Sequence, residues 1–193
     1  MLKYFWRAKL RKNKGAVKLH TVLDIKTEIL SFIHIAAGKT HEVNVLDIIE
    51  LEVNGYFIMD KGFVDFKRLC ALHLQKAYFI TRAKIKMKCR RIYSAKVDKT
   101  QRILYDQTIK LINYYVLKDY PEKLRRIKYY DIETKKTFIF LNNNFELTAL
   151  EIALLSRYRW RIELFFKWIK QHLKAKSFWG IQKMLLRFKC MLQ

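Results

Sequence analysis

Between residues 16 and 84 the hydrophobic period of the chain switches back and forth, and that alternation leaves few folds open. AVKLHTVLD (16–24) and EILSFIHIAAG (28–38) are rich in β-branched and apolar residues and bracket a short polar turn, which predicts a hairpin. In HEVNVLDIIELEV (41–53) Val45, Ile48 and Ile49 recur at helical spacing. GYFIMDKGF (55–63) is a short apolar run that ends in Asp60 and a glycine, the pattern of a buried strand and the loop behind it. DFKRLCALHLQK (65–76) puts Phe66, Leu69, Cys70, Leu72 and His73 on one side of a helix, and AYFITRAK (77–84) reads as a strand again. Strands alternating with helices build an α/β layer fold.

From 85 to about 147 the texture changes. MKCRRIYSAKV, RILYDQTIKLINYYVL, LRRIKYYDI and KTFIFLNN read as antiparallel strands joined by polar turns, with the single proline, Pro121, in one connection. Thr148-Ala149-Leu150-Glu151 then has capping-box spacing and predicts a helix starting at 148. No Gly or Pro interrupts the chain before Gly180, so the helix is expected to run to about 175, roughly 40 Å at 1.5 Å per residue.

Charge narrows the partners. Lys and Arg number 40 against 17 Asp and Glu, a formal charge of +23. Such a surface attracts polyanions, nucleic acid above all. No apolar run approaches the roughly 18 residues that a membrane-spanning helix needs, and the opening MLKYFWRAKLRKNK is too charged for a secretory signal. Cys70, Cys89 and Cys190 are odd in number and far apart, without metal-ligand spacing or a disulfide framework. They read as free thiols in a reducing cytoplasm. His20 and His34 lie in strand-like runs and read as structural; His41, after a turn, is the one histidine placed to act.

The helix RYRWRIELFFKWIKQHLKAK (157–176) keeps one carboxylate, Glu163, among its cations. At 100° per residue Arg159, Glu163 and Lys170 fall on one narrow stripe. Taken alone, that stripe is an i, i+4 salt bridge on a solvated face. Asp60 adds a second acid at the carboxyl end of an apolar strand, where open α/β sheets place their ligands. A strand-end Asp, a helical Glu and a basic surface together suit metal-assisted phosphoryl transfer on nucleic acid. Hard divalent cations take carboxylate oxygens, and neighbouring Arg and Lys hold phosphates.

At these residues the chain resembles the DDE transposases of bacterial insertion sequences, in the group whose Glu helix carries a Tyr-x2-Arg-x3-Glu-x6-Lys signature. Arg159-x3-Glu163-x6-Lys170 has that spacing, and KGAVKLHTVLD, GKTHEVNVLD, MDKGFVDFKRL, FITRAK and KDYPEKLRRIKYYD are also similar to the group. The resemblance covers about residues 7–180. It implies a ribonuclease-H-like mixed α/β sheet with flanking helices, interrupted by a β-rich insertion before the Glu helix. On that reading residues 1–84 are the first part of the core, 85–147 the insertion, 148–176 the Glu-bearing helix and 177–193 a truncated tail. Asp60 and Glu163 are implied as catalytic metal ligands for Mg²⁺ or Mn²⁺ in a two-metal site. Arg159, Lys170, Lys167 and Lys174 are implied as DNA contacts. The reaction implied is nicking at the ends of the element, followed by 3′-hydroxyl attack on target DNA. The partners are transposon-end and target DNA, with a homodimer in a synaptic complex and no membrane, in the bacterial cytoplasm at the nucleoid.

Two departures qualify the match. The signature Tyr falls at Ser156, and residues 1–23 contain no Asp or Glu where the group carries its first catalytic Asp. Asp24, the first acid, sits in the hairpin turn. The expectation is a truncated, inactive copy with two of three acids and unpaired edges where a central strand is missing. The competing reading is a non-catalytic basic DNA-binding protein using Lys84, Lys86, Lys88, Arg90, Arg91, Arg125, Arg126 and the 157–176 helix. A membrane-surface role for that helix conflicts with the core's need for its apolar side.

Overall fold

The computed structural model describes residues 9–10, 14–15, 17–25, 27, 29–37, 39–84, 87–159, 164, 167, 171 and 185–189. Two short strands, β1 (Lys9–Leu10) and β2 (Lys14–Gly15), pair antiparallel in a small sheet of their own. The expected hairpin follows as β3 (Val17–Asp24) and β4 (Leu30–Ala37), in register from Val17↔Ala37 to Leu23↔Leu30 with one irregularity after Val22. His20 and His34 are cross-strand partners with ring centroids 6.2 Å apart, and His20 is buried, so both histidines belong to the packing. The 41–53 segment forms only a short 3-10 helix, Glu42–Asp47, that buries Val45 and Leu46. Asn44 and Asp47 on that helix bond to Arg68 instead, and the segment goes no further as helix.

β5 (Gly55–Met59) is buried at every residue. Its side chains alternate between two cores: Phe57 and Met59 join one, Tyr56 and Ile58 the other. A strand covered on both faces has no polar side, which is why the sequence reads as an unbroken apolar run. α1 (Phe66–Leu74) starts at Asp65, whose carboxylate accepts from the Arg68 amide at 3.1 Å, and it buries Leu69 and Leu72. β6 (Tyr78–Arg82) runs parallel to β5, from Tyr56↔Tyr78 to Met59↔Thr81.

The block after residue 85 forms β7 (Cys89–Ala95), β8 (Ile103–Leu111), β9 (Leu124–Asp131) and β10 (Lys136–Asn142), each antiparallel to the next. β10 pairs with β6, so these strands continue the same sheet. The strand predicted through Leu117 ends at Leu111. Asn113 accepts from the Tyr115 amide at 3.1 Å and caps a short helix, α2 (Tyr114–Asp119), that stops before Pro121.

The predicted capping box is present. Thr148 and Glu151 bond reciprocally at the start of α3 (Ala149–Arg157). The single helix expected from 148 to 175 is instead interrupted at Tyr158, although residues 159, 164, 167 and 171 are helical. The Ser156 hydroxyl donates to the Ala153 carbonyl at 2.6 Å, a local bond that competes with the helical ladder just where α3 ends. Finally, β11 (Leu185–Lys189) lies between β3 and β5, parallel to the first and antiparallel to the second. The segment read as a tail therefore supplies a central strand, and the gap expected beside β5 is filled. The nine-stranded order is β4-β3-β11-β5-β6-β10-β9-β8-β7. One core gathers Phe57, Phe79, Leu141 and Tyr120 with α1; the other gathers Tyr56, Ile58, Ile80 and Phe140 with Ile152, Ala153 and Leu155 of α3.

Candidate functional site

Asp60 stands directly after the last residue of β5, at the strand's carboxyl end. Its backbone is extended, its Oδ1 accepts from the Lys61 amide at 2.8 Å, and its carbonyl accepts from the Phe63 amide at 3.0 Å. The Asp-Lys-Gly-Phe loop is thus one tight 3-10 turn, anchored by fully buried Phe63. That turn holds the carboxylate half-exposed at the sheet's end. Asp24 is no partner for it: through β11, Asp24 lies level with Phe57, three residues short of Asp60 and two strands away. The loop is braced from below. Arg68 of α1 forks onto Asp47 at 2.8 and 2.7 Å, reaches Asp65 at 3.2 Å, and holds the Asp47 carboxyl below its ordinary range. Lys84 donates to the Val64 carbonyl at 2.9 Å.

Beside this strand end, between the sheet and the end of α3, lies a cavity of about 500 Å³. Met59, Thr81 and Arg82 line it from the sheet, Tyr129, Phe138 and Phe140 supply aromatic walls, and Ser156, Arg157, Tyr158 and Arg159 close it from the helix. The Arg82 guanidinium lies over the Phe138 ring, 4.7 Å from its centroid. Arg157 pairs with Glu133, which raises the Arg157 pKa, although both side chains are substantially exposed. Asp131 is buried at the cavity wall: its Oδ2 accepts from Thr134 at 2.7 Å. Its Oδ1 and the Thr81 hydroxyl are buried with no hydrogen-bond partner among the described residues. Polar atoms in that state carry a desolvation cost that an incoming ligand or water removes. Three arginines and aromatic walls share the cavity with the acids Asp131 and Glu133, the second of them paired with Arg157.

The helix side of the cavity is fixed by a buried network. Arg125 on β9 grips Asp106 on β8 at 2.9 and 2.7 Å and donates to the carbonyls of Asn144 and Leu147. Asn144 accepts from the Glu146 and Leu147 amides at 3.0 and 2.8 Å and donates to the Tyr56 hydroxyl at 2.9 Å. A continuous chain of bonds therefore runs from β5, the strand of Asp60, to the N-cap of α3. Asn143 ties the same corner to β6, accepting from the Phe79 amide at 2.8 Å.

Of the residues singled out in the sequence, the structure places Asp60 at the strand end, Arg159 half-buried at the cavity and Lys167 exposed on helix. Glu163, Lys170 and Lys174 lie outside the described residues. Ser156, standing at the signature Tyr position, lines the cavity. Arg125 is buried in its ion pair and is no phosphate contact. Arg126 bonds to Gln107 at 2.7 Å and to the Cys89 sulfur at 3.2 Å. His41 is an exposed residue before the first 3-10 turn. Sequence reasoning missed Arg82, Asp131 and Thr81. Arg82 was visible only as a basic residue ending an apolar run, and Asp131 as one more polar turn residue. Asp60 offers hard oxygen at the right chemistry, yet no three His, Cys, Asp or Glu side chains gather to hold an ion among the described residues.

The model of the family described as Transposase DDE domain matches residues 3–192, and the chain belongs to that family. The "Putative transposase y4zB" of Sinorhizobium fredii (strain NBRC 101917 / NGR234) is 32% identical over 177 residues, 88% of this chain and 49% of its own length. The chain thus spans about half the length of that relative. No solved structure matches. The ribonuclease-H-like α/β fold class implied by the sequence is in accord with the family and with the mixed sheet. No described helix is long and apolar enough to cross a membrane.

Proposed function

We propose that the chain is the catalytic core of an insertion-sequence DDE transposase, acting on DNA phosphodiesters at the element's ends. The observation that carries the reading is Asp60 at the end of β5, beside a cavity lined by Arg82, Arg157 and Arg159 together with Asp131 and Glu133. Arg159 and Lys167 hold backbone phosphates of the transposon end, with Lys170 and Lys174 further along the same segment. The aromatic walls accept the sugar or base of the nucleotide at the cleaved phosphate. Asp60 and Glu163 would hold Mg²⁺ or Mn²⁺. When bound, such ions stabilise the charge that builds on the attacking and leaving oxygens. The acids, in turn, set where the scissile phosphate stops, and the arginines keep it there. A homodimer pairing two ends and residence at the bacterial nucleoid fit the same reading.

Two acids are one fewer than the family's set, so this chain alone is expected to bind end DNA and to cleave it poorly. The purified chain, incubated with Mn²⁺ and a transposon-end duplex, tests this. Salt-sensitive binding weakened by Arg159→Gln, with little nicking, is the expected result. Robust nicking abolished by Glu163→Gln would establish a complete active site in this chain. Binding of generic duplex unmoved by Arg159→Gln and by metal would favour the non-catalytic DNA-binding reading.

A further inference from the structure

The turn between β9 and β10 carries acids to the lip of the cavity, in a chain where acids are scarce. β9 ends at Asp131 and β10 begins at Lys136. Between them the Thr134 hydroxyl donates to Asp131 at 2.7 Å, the Lys135 amide donates to the Ile132 carbonyl at 3.3 Å, and Lys135 takes a left-handed backbone with φ 52°. Pinned in this way, the turn presents Glu133 to Arg157, the last residue of α3. Arg157 Nη2 meets Glu133 Oε2 at 2.5 Å, and that bond, with the fields of Glu133 and Asp131, raises the Arg157 pKa.

An exposed pair of this kind contributes little to stability, and here the Glu133 side chain is 72% exposed. Nor does α3 depend on it. The helix is held at its start by the Thr148–Glu151 capping box and along its length by buried Ile152, Ala153 and Leu155. What the pair decides is the state of the Arg157 guanidinium. Carboxylate and phosphodiester offer that fork the same two-oxygen edge. Glu133 therefore sits where a phosphate would bind, at a cavity that Arg159 also lines.

We infer that Arg157 is a phosphate-binding residue of the cavity, held in the free protein by Glu133 and taken over by a DNA phosphodiester through exchange. On the proposed reading of DNA as the ligand, a duplex must displace Glu133 before Arg157 adds to its binding. A phosphate seated in the cavity completes that exchange; one held outside by the diffuse positive field does not. The acid thereby sets a threshold between seated DNA and DNA that is merely attracted.

The test titrates full-length chains carrying Glu133→Gln, Arg157→Gln or both against a short fluorescent DNA duplex, read by anisotropy, with Tm checking each fold. Glu122→Gln, the same charge change at an exposed acid just past α2, is the control. Exchange predicts that Glu133→Gln tightens binding about threefold beyond the control, the gain from freeing one exposed pair. In the Arg157→Gln background the same change is expected to give no gain. If Arg157→Gln fails to fold, Arg157→Lys takes its place: a point charge lacks the two-pronged fork, and most of the gain should vanish. An equal gain with and without the Arg157 substitution would overturn the inference, because Glu133 would then act only through the general field. No gain over Glu122→Gln would overturn it as well. Absence of duplex binding by every chain, the unsubstituted one included, would instead overturn the reading of DNA as the ligand, and the exchange with it.

Discussion

At the scale of single residues, the candidate site depends on polar side chains that the sequence presents as ordinary surface groups. Arg125 is the clearest case. It sits next to Arg126 in a basic strand, yet its side chain is only 9% exposed and its ion pair with Asp106 organises the turn that launches α3. Replacing it by Met leaves the Asp106 charge buried without its partner and the Asn144 and Leu147 carbonyls without a donor. Breaking a buried pair on one side costs about 3–5 kcal/mol. Urea unfolding of Arg125→Met is expected to show a loss of that size, and the double variant Arg125→Met, Asp106→Leu to recover much of it. A single-variant loss below about 1 kcal/mol would mean that the pair is solvated and does not fix the corner.

At the scale of elements, local chemistry decided most boundaries. The capping box at Thr148 was legible because its two partners are three residues apart and need no tertiary context. Thr148→Ala removes the acceptor for the Glu151 amide and is expected to destabilise the protein by about 1 kcal/mol, read from the urea midpoint. A shift within error would mean that α3 draws its start from the Arg125 network alone. The hairpin, β5, α1 and β6 were equally legible, since periodicity and short polar turns mark them. Misses came where side chains compete with the backbone. Asn113 converted the end of a long apolar run into α2, and Ser156 bonds back to Ala153 where the Glu helix was expected to run on. Asp60's position after an apolar strand was legible, whereas Asp131 and Arg82 come to line one cavity only when β9 and β6 meet α3 across the sheet. β11 was illegible for a related reason. LLRFK carries no signal for the partners it finds among the first 59 residues of the chain.

At the scale of the molecule, charge and topology pull in opposite directions. A formal charge of +23 on 193 residues makes the compact state repel itself. The acids that could relieve the strain are in part spent on particular partners, as Asp106 is on Arg125 and Asp47 on Arg68. The hairpin at one end of the sheet hangs on three register pairs with β11, so repulsion between the hairpin and the remaining strands works against a thin seam. Screening should therefore stabilise the fold. Between about 10 mM and 300 mM monovalent salt the Debye length falls from roughly 30 Å to under 10 Å. Over that range Tm is expected to rise by several degrees. Short duplex DNA at low salt is expected to raise it further, because a ligand that binds only the folded state adds to stability by mass action. If the DNA effect persists at 300 mM salt, contacts closer than the diffuse field hold the duplex, and Arg159→Gln should remove them. A Tm that falls with added salt would show that ion pairs outweigh the repulsion, and the +23 charge would then be a property of the DNA-facing surface without a cost to the fold.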